Sequence, residues 1–228
     1  MSPDLQLYQA RLDISASECD RLLQFLSADE RSRADRFKRE YLKRNFIAAR
    51  GNLREILATR LGCAPKKIEF SYSDHGKPYI HNNQCVYFNL SHSQDFAIYA
   101  VCSDREVGID LEYVNPQCDA DGIANRYFLP SEQKIIQSLS DRDKYLAFYR
   151  AWTLKEAYSK ATGEGIANIL DYVDASSLLE SPIGATLQIK DWTLKLLDSE
   201  LDIDSNYSAA LCIESNSQSM PLLCPVQF

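Results

Sequence analysis

The sequence predicts an α+β protein built of two similar lobes. Helical spacing of apolar residues comes first in each half of the chain, and short runs of strand-like composition follow it. A chain of 228 residues with 45% hydrophobic content can bury a large core without disulfides. No low-complexity linker separates the halves, so we expect a compact molecule.

The N-terminal half begins its helical pattern at Ser27, which has Glu30 three residues later, the spacing of a capping box. The apolar positions that follow suit one or two helices up to about Leu61, where Gly62 and Pro65 end the pattern. Turns rich in small and polar residues are expected at 74–78, 81–83 and 103–105. They separate strand-like segments at 68–72, 85–89, 96–102 and 107–112.

The C-terminal half returns to helical spacing after a polar loop. Helices are expected at 123–127, 131–139 and, most strongly, 143–161. Strand-like segments then follow at 186–189, 192–197 and 207–213.

Charge is distributed unevenly along a chain whose formal net charge is −7. Between Arg31 and Arg54 there are nine Lys or Arg residues against two acids. Such a segment suits an anion-binding surface, although a solvated helix face gives the same pattern. A nucleic acid is not expected as a partner, because the rest of the chain would repel it and no recognised nucleic-acid motif is present.

Seven cysteines form no Cys-x-x-Cys pair and leave an odd number, which favours reduced thiols over a disulfide or zinc framework. The N-terminus lacks the pattern of a signal or transit peptide. No segment approaches the ~20 apolar residues of a membrane span. We therefore expect a soluble cytoplasmic protein that does not contact a membrane.

A carboxylate stands where a helix would normally place an apolar residue. Tyr145, Phe148 and Trp152 recur at helical spacing, and the next position of that stripe is Glu156. Lys160 lies one turn further and shares its face. The two side chains form either a simple helical ion pair or part of a charged site.

Asp110 and Glu112 lie two apart in a strand-like run, so they point to the same side. If Glu156 faced them, the three acids would offer hard oxygen ligands that suit Mg²⁺ better than zinc, since no Cys or His accompanies them. Magnesium at such a site usually implies a phosphorylated ligand. The alternative is that Asp110 and Glu112 form solvent-facing ion pairs while Glu156 pairs with Lys160.

Two further polar segments are candidates for phosphate contacts. Ser91, His92 and Ser93 follow a strand and are expected in a polar turn, where they would donate hydrogen bonds to a phosphate or cap the turn. A catalytic triad is not expected, because no nucleophile motif is present. Gly76-Lys77-Pro78 predicts a tight turn that presents a lysine, with plain turn chemistry as the alternative.

Taken in order, these motifs resemble the signature of the surfactin-type 4'-phosphopantetheinyl transferase family. The resemblance extends from the 27–54 region to about Gly165, and the last third of the chain is similar only in general character. The residues that carry it are Gly76–Pro78, Phe88–Ser93, Val107–Glu112 and Phe148–Ala157, followed by Lys160 and Gly163.

The resemblance implies an enzyme that moves the phosphopantetheine arm of coenzyme A onto a serine of an apo acyl or peptidyl carrier protein, releasing adenosine 3',5'-bisphosphate. The family fold is a pseudo-symmetric α+β monomer with coenzyme A between two lobes. On this chain the lobes would be residues 1–106, with the nucleotide-gripping motifs, and residues 107–228, with the metal-binding and catalytic motifs. The pathway served is not implied.

The resemblance also assigns roles around the reacting phosphate. Asp110, Glu112 and Glu156 would hold Mg²⁺, with Mn²⁺ as an alternative ion. Glu156 would also be the base for the incoming serine hydroxyl, directly or through a water. Lys160 would neutralise charge on the departing phosphate, assisted by Lys155.

Other positions would hold the nucleotide end and its 3'-phosphate, namely Arg33, Arg50, Lys77, Ser91 and His92, with Lys160 also in contact with coenzyme A. Glu132 would contact metal-bound water. One departure is Asn45, because family members often carry a basic residue immediately before the aromatic at Phe46. Arg44 beside it is the candidate substitute.

Two other functions are consistent with these motifs. A non-catalytic coenzyme A or carrier-protein binding module would retain them without transfer, but the intact carboxylate set argues against it. A Mg²⁺-dependent pyrophosphate hydrolase would use the same metal site, but the match outside that site argues against it.

Overall fold

The computed structural model describes residues 5–81, 86–182, 184–202, 204–215 and 225–227. Its first half contains, in order, β1 Leu5–Arg11, α1 Ala16–Leu23, α2 Ala28–Asp35, α3 Glu40–Leu61, β2 Phe70–Tyr72, β3 Pro78–Ile80, β4 Tyr87–Ser93, β5 Phe96–Cys102 and β6 Val107–Tyr113. The second half contains α4 Ala120–Tyr127, α5 Pro130–Ser138, α6 Asp141–Thr162, α7 Ile166–Ile169, α8 Ser176–Leu179, β7 Thr186–Ile189, β8 Trp192–Leu196, β9 Tyr207–Glu214 and β10 Pro225–Gln227.

The predicted α+β class is confirmed. The described strands form two four-stranded sheets with the orders β10-β1-β5-β4 and β6-β9-β8-β7, and β2 pairs with β3 as a separate hairpin. Among these described strands, β4 and β6 are edge strands of the two large sheets. Residues 225–227 pair in parallel with β1, so the sheet of the N-terminal half also contains the last described strand.

Each large sheet is accompanied by a helix of 22 residues, α3 in the first half and α6 in the second. The capping box predicted at Ser27 and Glu30 is present at the start of α2, and α3 ends at Gly62 as expected. α6 packs directly on β6 at Gly108, where an added Cβ would lie 2.1 Å from the carbonyl oxygen of Ala157. Glycine at this position allows the helix to approach the strand that carries the acids.

Among the described residues, three apolar clusters stabilise this arrangement. One lies between α3 and the first sheet, and another surrounds α6. The third joins the two large sheets, because side chains of β1 and β5 pack there against those of β6 and β9. Its buried members include Leu7, Ile98, Ile109, Leu111 and Leu211. The two halves of the chain thus share a core.

Several expectations are settled by the fold. The predicted turn at 91–93 is wrong, since these residues complete strand β4. The five described cysteines are free, as predicted, whereas Cys85 and Cys224, and residues 82 and 83 of the predicted turn at 81–83, lie outside the described residues. None of the described helices has the length and apolarity of a bilayer span. The cytoplasmic location stays a prediction.

Candidate functional site

The acid pair of β6 lies at the junction of the two sheets. Asp110 and Glu112 share one side of the strand, while the alternate residues Ile109 and Leu111 enter the core between the sheets. Asp110 is buried, with 2% of its surface exposed, and Glu112 is half-buried. The strand thus holds two carboxylates side by side, largely removed from water.

Asp110 is only partly satisfied by hydrogen bonds. Its Oδ1 accepts from Ser91 Oγ at 2.9 Å and from Lys160 Nζ at 2.6 Å. Its buried Oδ2 has no hydrogen-bond partner in the described part of the chain. A buried carboxylate oxygen without a partner is costly, and an additional cation at this place would satisfy it.

Glu156 reaches the same place from α6, one turn before Lys160. Burial raises the pKa of Glu156, the Asp110 carboxylate raises it further, and Lys160 opposes them. The Asp110 carboxylate therefore lies near enough to Glu156 to raise its pKa. The alternative, in which the β6 acids face solvent, does not describe this site.

Glu112 shares this environment. Burial raises the pKa of Glu112 to about 7, with further increases from Asp110 and Glu156, while the hydrogen bond from Ser93 and the charge of Lys160 lower it. Three carboxylates that repel one another need positive charge to stay ionised together. Lys160 supplies part of that charge.

The oxygen donors suit a hard divalent cation such as Mg²⁺. The unpartnered Oδ2 of Asp110 is the feature that most directly fits one. Within the described residues, however, no three Asp, Glu, His or Cys side chains are arranged closely enough to hold an ion. The residues present therefore match the chemistry of the ion, while the geometry of a metal centre is not formed.

A cavity of about 320 Å³ opens beside Glu156 and Lys160. It is bounded by the turn before β3, by β4 and by the end of α6, where Gly163 takes the left-handed conformation with φ 74°. Lys77 also lines it, and its Nζ contacts Glu106 Oε2 at 2.6 Å and the carbonyl of Ala161 at 3.0 Å. The turn lysine predicted from the sequence thus reaches across to the C-terminal half.

A second cavity of about 190 Å³ carries most of the predicted nucleotide-binding residues, Arg33, Arg50 and His92. The Arg33 guanidinium lies over the Phe46 ring, with its Cζ 5.2 Å from the ring centroid. The Arg50 guanidinium donates hydrogen bonds to Glu30 and to Tyr72 Oη. The two cavities share the wall residues Gly76, Pro78, Asn89 and Leu90, so they are parts of one cleft.

His92 faces this cationic part of the cleft. Partial burial, together with the charges of Lys160 and Arg33, lowers its pKa. Ser91, its neighbour on β4, points to the opposite side and bonds Asp110. The pair predicted to grip a phosphate together is therefore divided between the cationic cavity and the acid cluster, because successive strand residues alternate in direction.

Lys155 and Glu132 do not join the cleft. Both side chains are fully buried and form an ion pair at 3.0 Å. Lys155 also donates to the carbonyl of Val173, and Glu132 accepts from the backbone N–H groups of Leu129 and Ala175. The expected contacts of Lys155 with the departing phosphate, and of Glu132 with metal-bound water, are replaced by mutual contacts that fix α5 against α6.

Asn45 has a local structural contact in place of the basic residue expected there. Its amide donates to the carbonyl of Gln94 at 2.9 Å and so ties α3 to the β4–β5 turn. Two contacts that the sequence analysis missed are Asn89 to the N–H of Ile109 and Ser93 to Glu112. The signal available for them was the polar residue at every second position of 89–93.

Comparison with known proteins decides the family. A model of the 4'-phosphopantetheinyl transferase superfamily matches residues 106–212, and a model of the N-terminal part of 4'-phosphopantetheinyl transferases matches residues 13–104. The 4'-phosphopantetheinyl transferase HetI of Nostoc sp. strain PCC 7120 is 41% identical over 217 residues, covering 93% of this chain and 89% of that protein. The chain belongs to the 4'-phosphopantetheinyl transferase family.

A further family member extends the comparison. The 4'-phosphopantetheinyl transferase Sfp of Bacillus subtilis strain 168 is 25% identical over 210 residues, with 91% of this chain and 92% of that protein covered. The family predicted from the four motifs is confirmed, and so is the prediction that the chain is a transferase of this kind.

Proposed function

We propose that this protein transfers the 4'-phosphopantetheine arm of coenzyme A to a serine of an apo acyl or peptidyl carrier protein, with release of adenosine 3',5'-bisphosphate. The observation that carries the proposal is that Asp110 and Glu156 raise the pKa of Glu112, and Asp110 that of Glu156, beside Lys160 at one end of a cationic cleft. A phosphoryl centre bound there would have acids on one side and cations on the other.

Asp110, Glu112 and Glu156 are the residues that would hold Mg²⁺ or Mn²⁺. When bound, the ion would polarise the diphosphate and neutralise part of its charge. Arg33, Arg50, Lys77 and His92 would bind the nucleotide and its 3'-phosphate, because they line the cleft that leads to the acids.

In the reaction, the serine oxygen bonds to the phosphorus that carries the pantetheine, and the bond from that phosphorus to the bridging oxygen breaks. Glu156 accepts the serine proton, directly or through a water, and its raised pKa makes the ionised carboxylate a stronger base. The nucleotide leaves with the electron pair of the broken bond, and Lys160 neutralises the charge that develops.

The proposal assigns residues 1–106 to a nucleotide-gripping lobe and residues 107–228 to a metal-binding and catalytic lobe. This division is supported by the positions of the cationic residues and the acids along the chain. The proposal also takes the protein to act as a monomer, as the family resemblance implies.

The test is mass spectrometry of an apo carrier protein incubated with the protein, coenzyme A and Mg²⁺. A gain of one phosphopantetheine mass is expected with the natural sequence and is expected to disappear with Glu156→Gln. Glu69→Gln, the same change at an exposed glutamate outside the cleft, is the control and should retain transfer. A carrier that stays unmodified while coenzyme A binds would refute the proposal in favour of a non-catalytic binding module.

A further inference from the structure

β4 and β6 lie side by side although they belong to different sheets. The sheet pairings of the described strands join β4 to β5 and β6 to β9. Between β4 and β6 the contacts come from side chains: Asn89 bonds the backbone of Ile109, and Ser93 bonds that of Tyr113. Residues pair in the same order on both strands, so the two edges run parallel.

The side chains that bond the β6 backbone lie on one face of β4, four positions apart, with Ser91 between them on the same face. Asn89 Oδ1 accepts from the N–H of Ile109 at 3.0 Å, and Ser93 Oγ accepts from the N–H of Tyr113 at 3.1 Å. An exposed sheet edge carries unpaired N–H groups that must find partners when they are buried. These side chains supply partners that a neighbouring strand would otherwise supply.

The same stripe contacts the acids. Ser91 Oγ donates to Asp110 Oδ1 at 2.9 Å and accepts from Lys160 Nζ at 3.1 Å. Ser93 Oγ donates to Glu112 Oε2 at 3.2 Å. A hydroxyl has one proton to donate, and each serine directs that proton to one carboxylate while its lone pairs accept a bond from elsewhere. Both carboxylates are thereby oriented from outside their own sheet.

We propose that Asn89, Ser91 and Ser93 are positioning residues, which hold the edge of β6 against β4 and orient Asp110 and Glu112 toward a shared cation. The proposal rests on the proposed function of this site. It gives β4 two tasks, because His92 and Asn89 line the cationic cavity, whereas Ser93 contacts Glu112 and the backbone of Tyr113. Loss of the Ser93 hydroxyl should therefore change ion binding while contacts with the nucleotide persist.

The test compares Ser93→Ala with Ser93→Thr, which keeps the hydroxyl. Calorimetric titration with Mn²⁺, in the absence of coenzyme A and of carrier, should show affinity about 10–100-fold weaker in Ser93→Ala, the usual effect of removing a partner of a metal ligand. Ser93→Thr should restore most of that affinity. Ser71→Ala, which removes a hydroxyl from the separate β2–β3 hairpin, is the control and should match the natural protein.

Steady-state kinetics provides the second readout. Ser93→Ala should lower kcat about 10-fold or more with little change in KM for coenzyme A, whereas His92→Ala should raise that KM without changing Mn²⁺ affinity. If Ser93→Ala does not fold, Ser93→Cys has the same shape with a somewhat larger side-chain atom and a weaker hydrogen bond, and a loss of Mn²⁺ affinity in the same direction is expected.

Three results would each overturn the positioning role. Ser93→Ala could bind Mn²⁺ as tightly as the unsubstituted protein, Ser71→Ala could lose as much affinity as Ser93→Ala, or the unsubstituted protein could bind no Mn²⁺. The outcome is separable from that of the proposed function. A natural protein that binds Mn²⁺ in a Ser93-dependent way but does not modify any carrier would retain the positioning role and refute the transferase.

Discussion

Removing the charge of Glu112 should stabilise the ion-free protein above neutral pH. Burial, with added repulsion from Asp110 and Glu156, raises the pKa of Glu112 to about 7 from an ordinary value of 4.5. The folded protein thus holds this proton more tightly than the unfolded chain does. The stabilisation that comes from protonated Glu112 is fully present below the ordinary pKa and is lost as the pH rises through about 7.

The size of the effect follows from that difference in pKa. A shift of this size corresponds to about 3 kcal/mol if it is fully expressed in the unfolding free energy. Because Glu112 is only half-buried, water and salt screen the repulsion, and roughly 1–2 kcal/mol is the expected effect. Glutamine has the same shape without the charge and can still accept the bond from Ser93.

The assay is urea unfolding at pH 4.5, 6 and 8 in the presence of a chelator. Glu112→Gln should unfold with about the same free energy as the natural protein at pH 4.5 and with roughly 1–2 kcal/mol more at pH 8. Adding Mg²⁺ at pH 8 should favour the natural protein and reduce that advantage. Glu69→Gln is the control for the same chemical change at an exposed site. Parallel pH profiles for the natural protein and Glu112→Gln would refute the reasoning.

Two further substitutions test how the site is built. Gly108→Ala should lower the free energy of unfolding, measured in urea, by about 3 kcal/mol, because its Cβ would collide with the carbonyl of Ala157. A loss below about 0.5 kcal/mol would contradict direct contact between the helix and the strand. Lys155→Met should lower the free energy of unfolding by about 3–5 kcal/mol, because it leaves Glu132 buried without its partner. The double variant with Glu132→Gln should recover part of that loss, and additive losses in the same assay would argue against a coupled pair.

Several elements of this chain could be predicted from sequence alone. β5 and β7 have the predicted bounds, and α6 extends only a little beyond the predicted 143–161. In these segments the order of apolar and polar residues within the segment itself indicates either a helix or a strand. The motifs that identified the family lie on or beside them, which is why the acids on β6 and α6 could be paired before the fold was known.

The N-terminal strand and helix were missed, although weaker signals were present. Leu5 and Leu7 alternate with polar residues in β1, and Ser15 with Glu18 has the spacing of a helix N-cap. β1 is short and is stabilised by pairing with β5, about ninety residues later in the chain. A seven-residue segment with alternating apolar and polar residues forms a strand only when another strand pairs with it. The sequence does not show where that second strand lies.

Sequence proximity was a poor guide to shared function at residues 155 and 156. The two positions are adjacent in the motif, but each residue of a helix is rotated by about 100° from the one before it. Glu156 therefore faces the cleft while Lys155 enters the core beside Glu132. The motif assigned both to the reaction, and only the rotation of the helix against its neighbours separates them.

The segment at 91–93 shows what decides between a turn and a strand when composition is polar. Two serines and a histidine favour a turn if water satisfies their side chains. Here the serines are satisfied by Asp110 and Glu112 of another sheet, so the extended conformation keeps its polar face without burying unpaired groups. Because that face is matched by a strand outside its own sheet, no rule of local pairing could have identified it. The packing of the two halves against each other, which also creates the cleft, therefore determines the local structure of this motif.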